Sequence, residues 1–265
     1  MKYYVIADPH GYYMYTRKAL REAGFFDESE PCKLIVCGDL LDRGGQAYEM
    51  VEFMLRLKEE DKLIYILGNH EDLFVRCLQQ IAAGEVYEIA CGMSHHHSNG
   101  TWDTLLQLSE MSEADAIKNP NELVRRIRAS SFYRKLLPSA VDYYETQNYV
   151  FVHGWLPCST EIVDFYERRR YDPQWREAER DDWRMARWFN GMDMACKAGI
   201  KEPGKTVVCG HWHASYGHAV LEGRGTEWGD DADFSPFCAD GIIAMDSCAA
   251  ASQRVNCIVI EEKET

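Results

Sequence analysis

Five short apolar runs in this chain each end on a histidine, aspartate or asparagine beside a glycine, and this repeated ending constrains the fold more than any other feature. Tyr3-Tyr4-Val5-Ile6 leads into Asp8-Pro9-His10-Gly11, and Leu34-Ile35-Val36-Cys37 leads into Gly38-Asp39-Leu40-Leu41-Asp42-Arg43-Gly44. Leu63-Ile64-Tyr65-Ile66 leads into Gly68-Asn69-His70-Glu71. Tyr149-Val150-Phe151-Val152 precedes His153-Gly154, and Thr206-Val207-Val208-Cys209 precedes Gly210-His211-Trp212-His213. Apolar runs this short, bounded by turn residues, read as buried strands. Parallel strands of one sheet present their C-terminal ends along one edge, so these polar endings converge however far apart they lie in sequence.

Between the runs the pattern is helical. The spacing predicts helices over about 13–23, 46–58 and 72–83, giving a βαβαβ rhythm and right-handed crossovers. Residues 84–137 show helical spacing and no strand-like run, as expected of an inserted cap. Val141 to Glu145 and Tyr149 to Val152 read as a hairpin turned by Thr146-Gln147-Asn148. Residues 158–200 read as a second helical insertion. Further strands are expected at 206–209, 217–221, 242–246 and 254–260, with an exposed loop over 222–240. The expected organisation is one α/β domain over 1–265 with helical cap insertions at about 84–137 and 158–200.

Composition narrows the partners. With 29 basic against 43 acidic residues the formal charge is -14, which disfavours nucleic acid and anionic membrane. No apolar run is long enough to cross a bilayer, and the N-terminus enters a strand without a leader pattern. The 10 cysteines include no C-x-x-C pair, and Cys37, Cys209 and Cys257 sit inside apolar runs as small hydrophobes. A reducing cytoplasm is the compartment expected.

The strand-end residues suit metal-assisted chemistry. Asp8, His10 and Asp39 supply ligands for one divalent ion; Asp39, Asn69, His153 and His211 supply a second, with Asp39 shared. Carboxylate, amide oxygen and imidazole together suit Mn, Fe or Zn better than Ca. Two such ions about 3.5–4 Å apart form a device for phosphoester hydrolysis. His70 is placed to protonate the leaving oxygen, Asp42 to orient that imidazole and favour its charged form, and Arg43 to hold phosphate oxygens.

In order, spacing and strand context these motifs resemble the calcineurin-like metallophosphoesterases, in particular the phosphoprotein phosphatase branch and its bacterial and phage members. The matching stretches are Asp8 to Gly11, Gly38 to Gly44, Gly68 to Glu71, His153-Gly154 and Gly210-His211. Leu137 to Pro157 and the closing Ala244 to Ser247 with Arg254 to Glu261 also match. The resemblance implies a sandwich of mixed β-sheets flanked by helices. It also implies two divalent metals, Mn²⁺ foremost, and direct attack of a metal-bound hydroxide on a phosphomonoester. The implied substrate class is phosphoserine or phosphothreonine in proteins. The alternatives are dinucleoside polyphosphate hydrolysis, as in symmetrical diadenosine tetraphosphatases that share these motifs, and a non-catalytic phosphate-binding module.

Two positions depart from the family pattern. Leu67 stands where many protein phosphatases carry a phosphate-binding arginine. A second arginine is assigned to Arg187, with Arg184 and Asn190 as alternatives, so that substrate binding is expected from Arg43, Asn69 and Arg187. The Gly-His-x-His pattern resembles the wider superfamily, and His213 is assigned on that basis as a further ligand. Glu71 is read as a first-turn helix acid outside the site, His95-His96-His97 as a loop by the cleft, and the tryptophans at 155, 183, 188 and 212 mainly as packing.

Overall fold

A computed structural model of the chain describes residues 1–163 and 166–262. Its first sheet has the order β11-β1-β2-β3, built from β1 (Lys2–Ile6), β2 (Cys32–Cys37), β3 (Leu63–Ile66) and β11 (Cys257–Glu261). β1, β2 and β3 run parallel and β11 returns antiparallel along β1. The second sheet has the order β4-β5-β8-β10-β9, built from β4 (Tyr144–Glu145), β5 (Tyr149–Phe151), β8 (Thr206–Cys209), β9 (Phe237–Ala239) and β10 (Ile242–Ala244). In it β5, β8 and β10 are parallel and the outer strands antiparallel. The expected 146–148 turn is present, with Tyr144 facing Phe151 across it.

The sheets face each other. Val5, Ala7, Ile35, Cys37 and Ile66 of the first pack on Phe151, Val208 and Met245 beside the second. The alternate side chains of the first sheet face outward onto helices α1 (Tyr13–Glu22), α2 (Ala47–Glu59) and α3 (Asn69–Ala82). These helices form because their apolar residues recur at helical spacing. In α2 they are Met50, Val51, Met54, Leu55 and Leu57; in α3 they are Leu73, Phe74, Cys77, Leu78 and Ile81.

Between β3 and β4 the chain is helical, as expected: α4 (Val86–Ala90), α5 (His95–Ser98), α6 (Thr101–Ser109), α7 (Glu113–Lys118) and α8 (Pro120–Ala129). The His95–His97 stretch is thus a short helix capped by Ser94, not a loop. Two other expectations are corrected. β6 (Cys158–Val163) pairs antiparallel with β7 (Tyr166–Tyr171), and helix α9 (Arg180–Ala186) follows only later. Thr160, Ile162 and Tyr171 carry the strand preference, which the flanking charges masked. The expected strand at 217–221 is a helical turn, Gly217–Leu221, following α10 (Ala214–Tyr216). Its His218 reaches Glu222 four residues on at 2.9 Å, a contact that helical spacing provides and a strand does not. Among the described residues no helix is long and apolar enough to cross a membrane.

Candidate metal centre

The ends of β1, β2, β3, β5 and β8 meet at one rim of the sandwich, and backbone strain gathers there. Of the ten non-glycine residues with positive φ among those described, six are Asp8, His10, Asp39, Asp42, Arg43 and His211. Such conformations persist only where the surroundings hold them. The glycines between them allow the approach. A Cβ on Gly68 would overlap Asp39 Oδ1, and one on Gly38 would lie 2.5 Å from His153 Nδ1.

Asp39 is the hub. Its Oδ1 lies 3.3 Å from His153 Nε2, and its Oδ2 lies 3.7 Å from His10 Nε2 and 3.8 Å from His70 Nε2. Two sets of potential ligand atoms share it: His10, Asp39 and His70, and Asp39, His153 and His211. Asn69 Oδ1 sits 2.8 Å from His153 Nε2. Asp8 stands just behind, both carboxylate oxygens accepting the His211 amide at 3.0–3.1 Å.

The hydrogen bonds of the imidazoles test whether a cation belongs here. His10 Nδ1 is 3.0 Å from the Leu41 carbonyl and His153 Nδ1 is 2.9 Å from the Cys37 carbonyl. A carbonyl only accepts, so each ring donates through Nδ1 and turns a lone pair on Nε2 toward Asp39. Burial pushes both rings toward the neutral form, and holds His211 down to about 3 with the help of neighbouring His153. Lone pairs of Asn69, His153 and Asp39 thus face one another, an arrangement a cation resolves. Asp39 itself stays ionised: burial opposes the charge, but the His153, His70, His10 and His211 rings outweigh it. Asp8 goes the other way, its carboxyl raised by burial and by the Asp246 and Asp39 charges. Asp246 is raised to about 6, also chiefly by burial. Buried acceptors and carboxylates in such excess fit a divalent ion with mixed nitrogen and oxygen ligands.

Beside this hub sits a histidine–aspartate pair. His70 Nδ1 is 2.7 Å from Asp42 Oδ2, and Arg43 Nη2 is 3.3 Å from His70 Nε2. Burial works against a charge on His70, but Asp39 and Asp42 prevail and raise its pKa above the ordinary value. The insertion braces the pair from behind. Thr101 Oγ1 donates to Asp42 Oδ2 at 2.7 Å, and the Asp42 amide donates to Thr104 Oγ1 at 3.0 Å.

Two sequence assignments are not free to serve the cluster. His213 turns away: its Nδ1 meets Ser215 Oγ at 2.8 Å, its Nε2 lies 3.3 Å from Glu227 Oε1, and Trp228 covers the ring. The short helical turn after His213 breaks the alternation that would aim it with His211. Arg187 is buried and pairs with Asp72 at 2.5 Å and with Asp142, so both arms of its guanidinium are taken by carboxylates. Of the alternatives, Arg184 is exposed and Asn190 caps its own turn through the Met192 amide.

Three residues were missed. Asp246 follows β10 just as Asp8 follows β1, and the same strand-end signal marks it. Thr101 and Thr104 leave no signal, because the sequence does not say which face of α6 meets Asp42. Glu71 needs a larger correction. It is buried, and its carboxylate accepts the amides of Gly68, Asp39 and Leu40 at 2.6, 3.1 and 3.0 Å and the Tyr65 hydroxyl at 2.7 Å. It ties the Gly68 turn to the Asp39 turn, with its pKa raised to about 7 by burial and the Asp39 charge. Glu71→Ala strands these donors and is expected to cost about 3 kcal/mol or more, read as a lowered denaturant midpoint in metal-free protein. An unchanged midpoint would show that solvent replaces the carboxylate.

The fold and the acceptor-lined hub define the class: a two-sheet α/β sandwich with a candidate divalent-metal site at its rim. The chain belongs to the calcineurin-like phosphoesterase family, whose description matches residues 1–232. An asymmetrical bis(5'-nucleosyl)-tetraphosphatase of Bacillus velezensis is 26% identical over 139 residues; the match takes in 50% of this chain and about half, 51%, of that relative's length. A symmetrical bis(5'-nucleosyl)-tetraphosphatase of Xanthomonas axonopodis pv. citri is 25% identical over 265 residues, 86% of this chain and 80% of the relative. A cold-active protein-tyrosine phosphatase of a Shewanella species shares the fold, with TM-score 0.52 and 16% identity over 98% of this chain and 75% of that one.

Proposed function

We propose that this chain hydrolyses dinucleoside polyphosphates at a dinuclear metal centre held by Asp8, His10, Asp39, Asn69, His153 and His211, with Asp39 shared. Bound divalent ions of the Mn, Fe or Zn type would supply Lewis acidity at the phosphoryl group and lower the pKa of the attacking water. His70 carries the proton for the leaving oxygen on Nε2, while Asp42 holds Nδ1–H and stabilises the imidazolium. Arg43, already beside Nε2, swings its guanidinium onto the non-bridging phosphate oxygens. Thr101 and Thr104 fix Asp42, which supports reading the 84–137 insertion as part of one catalytic domain. The 2.7 Å His70–Asp42 contact next to the Asp39 hub is the observation that carries the hydrolase reading.

The names of the two relatives favour the dinucleotide as substrate. Arg187, neutralised by two carboxylates, leaves Arg43 without the second arginine expected to clamp a phosphomonoester dianion. The second reading, phosphoserine or phosphothreonine in proteins, is favoured by the phosphoprotein-phosphatase order of the motifs. With Mn²⁺ present, kcat/KM for diadenosine tetraphosphate is expected to exceed that for a phosphopeptide by ~10²-fold. The reverse ranking replaces the dinucleotide by the phosphoprotein. Metal-loaded protein that cleaves neither, nor p-nitrophenyl phosphate, would overturn the hydrolase reading in favour of a binding module.

A further inference from the structure

A cavity of roughly 430 Å³ opens along α3 beside the metal centre, lined by Asp72, Arg76, Gln79, Arg180, Arg184 and Trp188 among others. Its floor begins at the site. Asn69 opens α3, and Arg76 lies seven residues on, about 10 Å along the axis. Its wall returns to the site through Trp188, whose ring packs edge-on to His211 at 5.7 Å. On the other flank, Arg76 is near enough to the buried His96, and His96 to Asp42, for their charges to act on one another.

The charge of this cavity runs against the molecule. The chain carries a formal -14, yet three arginines converge here. Asp72 is taken by Arg187 at 2.5 Å, with Arg184 Nε at 3.9 Å, and Arg184 also meets the exposed Asp181 at 3.0 Å. Arg76 and Arg180 are exposed and pair with no carboxylate among the described residues. Unpaired guanidinium forks offer bidentate donors to phosphate. Trp188, 48% exposed at the cavity edge, offers an aromatic face on which a base can stack.

We propose that this cavity is a subsite for the part of the substrate that does not react: Arg76 and Arg180 hold the remaining phosphates of the polyphosphate chain, and Trp188 stacks the attached nucleobase. The assignment rests on the dinucleotide reading above and explains how an acidic protein with Arg43 alone at the reacting phosphate selects a polyanion.

The test scores diadenosine tetraphosphate twice on Mn²⁺-loaded protein, as a substrate and as an inhibitor of p-nitrophenyl phosphate hydrolysis. In the Arg76→Ala/Arg180→Ala variant, KM and Ki for the dinucleotide are expected to rise about tenfold or more, with kcat/KM for p-nitrophenyl phosphate unchanged. Trp188→Ala is expected to raise Ki for the dinucleotide but not for inorganic tripolyphosphate, which has no base. An unchanged dinucleotide Ki in the double variant overturns the subsite even where the dinucleotide is cleaved. A wild type inhibited through these arginines but unable to cleave the dinucleotide overturns the substrate reading and leaves the subsite standing. No inhibition of the wild type overturns both.

Discussion

His70→Asn is expected to slow hydrolysis of substrates with poor leaving groups by about 10²–10⁴-fold, the usual worth of a positioned general acid. The loss should shrink markedly for p-nitrophenyl phosphate, whose leaving oxygen departs without a proton. Metal content should stay at the wild-type level if His70 serves as acid. The geometric alternative is open to the same measurement, because His70 Nε2 lies 3.8 Å from Asp39 Oδ2 and shares a potential ligand set with His10. A variant that loses a metal ion, and loses equal rate on both kinds of leaving group, would make His70 a ligand instead. The pH profile gives a second reading. Asp39 and Asp42 raise the His70 pKa above its ordinary value against the cost of burial. The acid works only when protonated, so kcat should fall as pH rises through that raised pKa. Asp42→Asn removes a carboxylate that favours the charged ring, so the alkaline limb should move to lower pH. A limb that stays in place in this variant would assign it to another group.

How far the sequence revealed this site depends on what each residue answers to. Asp39, His153 and His211 end buried strands, and strand order alone delivers them to one rim, so period and punctuation sufficed. The fold followed for the same reason, since β1, β2 and β3 are continuous apolar runs that only a covered sheet can use. Residues whose role depends on side-chain direction were not legible. His213 shares a pattern with His211, but the chain turns helical at Ala214 and hands its ring to Ser215 and Glu227. Arg187 is basic and well placed in sequence, yet Asp72 and Asp142, from distant segments, claim it. Glu71 looked like an ordinary first-turn acid because nothing local shows that the Asp39 and Leu40 amides arrive beneath it. The arginines of the α3 cavity come from α3 and α9, more than a hundred residues apart, and read singly as solvated surface.

Asp39→Asn is expected to reduce bound metal from two ions to one or none per chain and to lower activity by more than about 10³-fold. The reasoning is local. Asp39 directs one oxygen toward His153 and the other toward His10, so only a carboxylate can offer a charged oxygen to each side. An amide keeps one acceptor, loses the negative charge and turns donor hydrogens toward lone pairs on the other side. The metal-free fold should tolerate the change, since the amide oxygen can still accept the His70 backbone N–H that Oδ1 accepts at 3.0 Å. Metal-free melting temperatures of wild type and variant are therefore expected to lie close together. The rise in Tm on adding Mn²⁺ should be large in the wild type and much smaller in the variant, because a ligand at free concentration L stabilises the native state by RT ln(1 + L/Kd), which vanishes as Kd rises above L. Elemental analysis and the Tm shift thus separate lost coordination from lost folding. Retention of two ions with wild-type activity would show that Asp39 does not bridge, and the centre would then have to be rebuilt around Asp8 and Asp246, two further buried carboxylates at this rim.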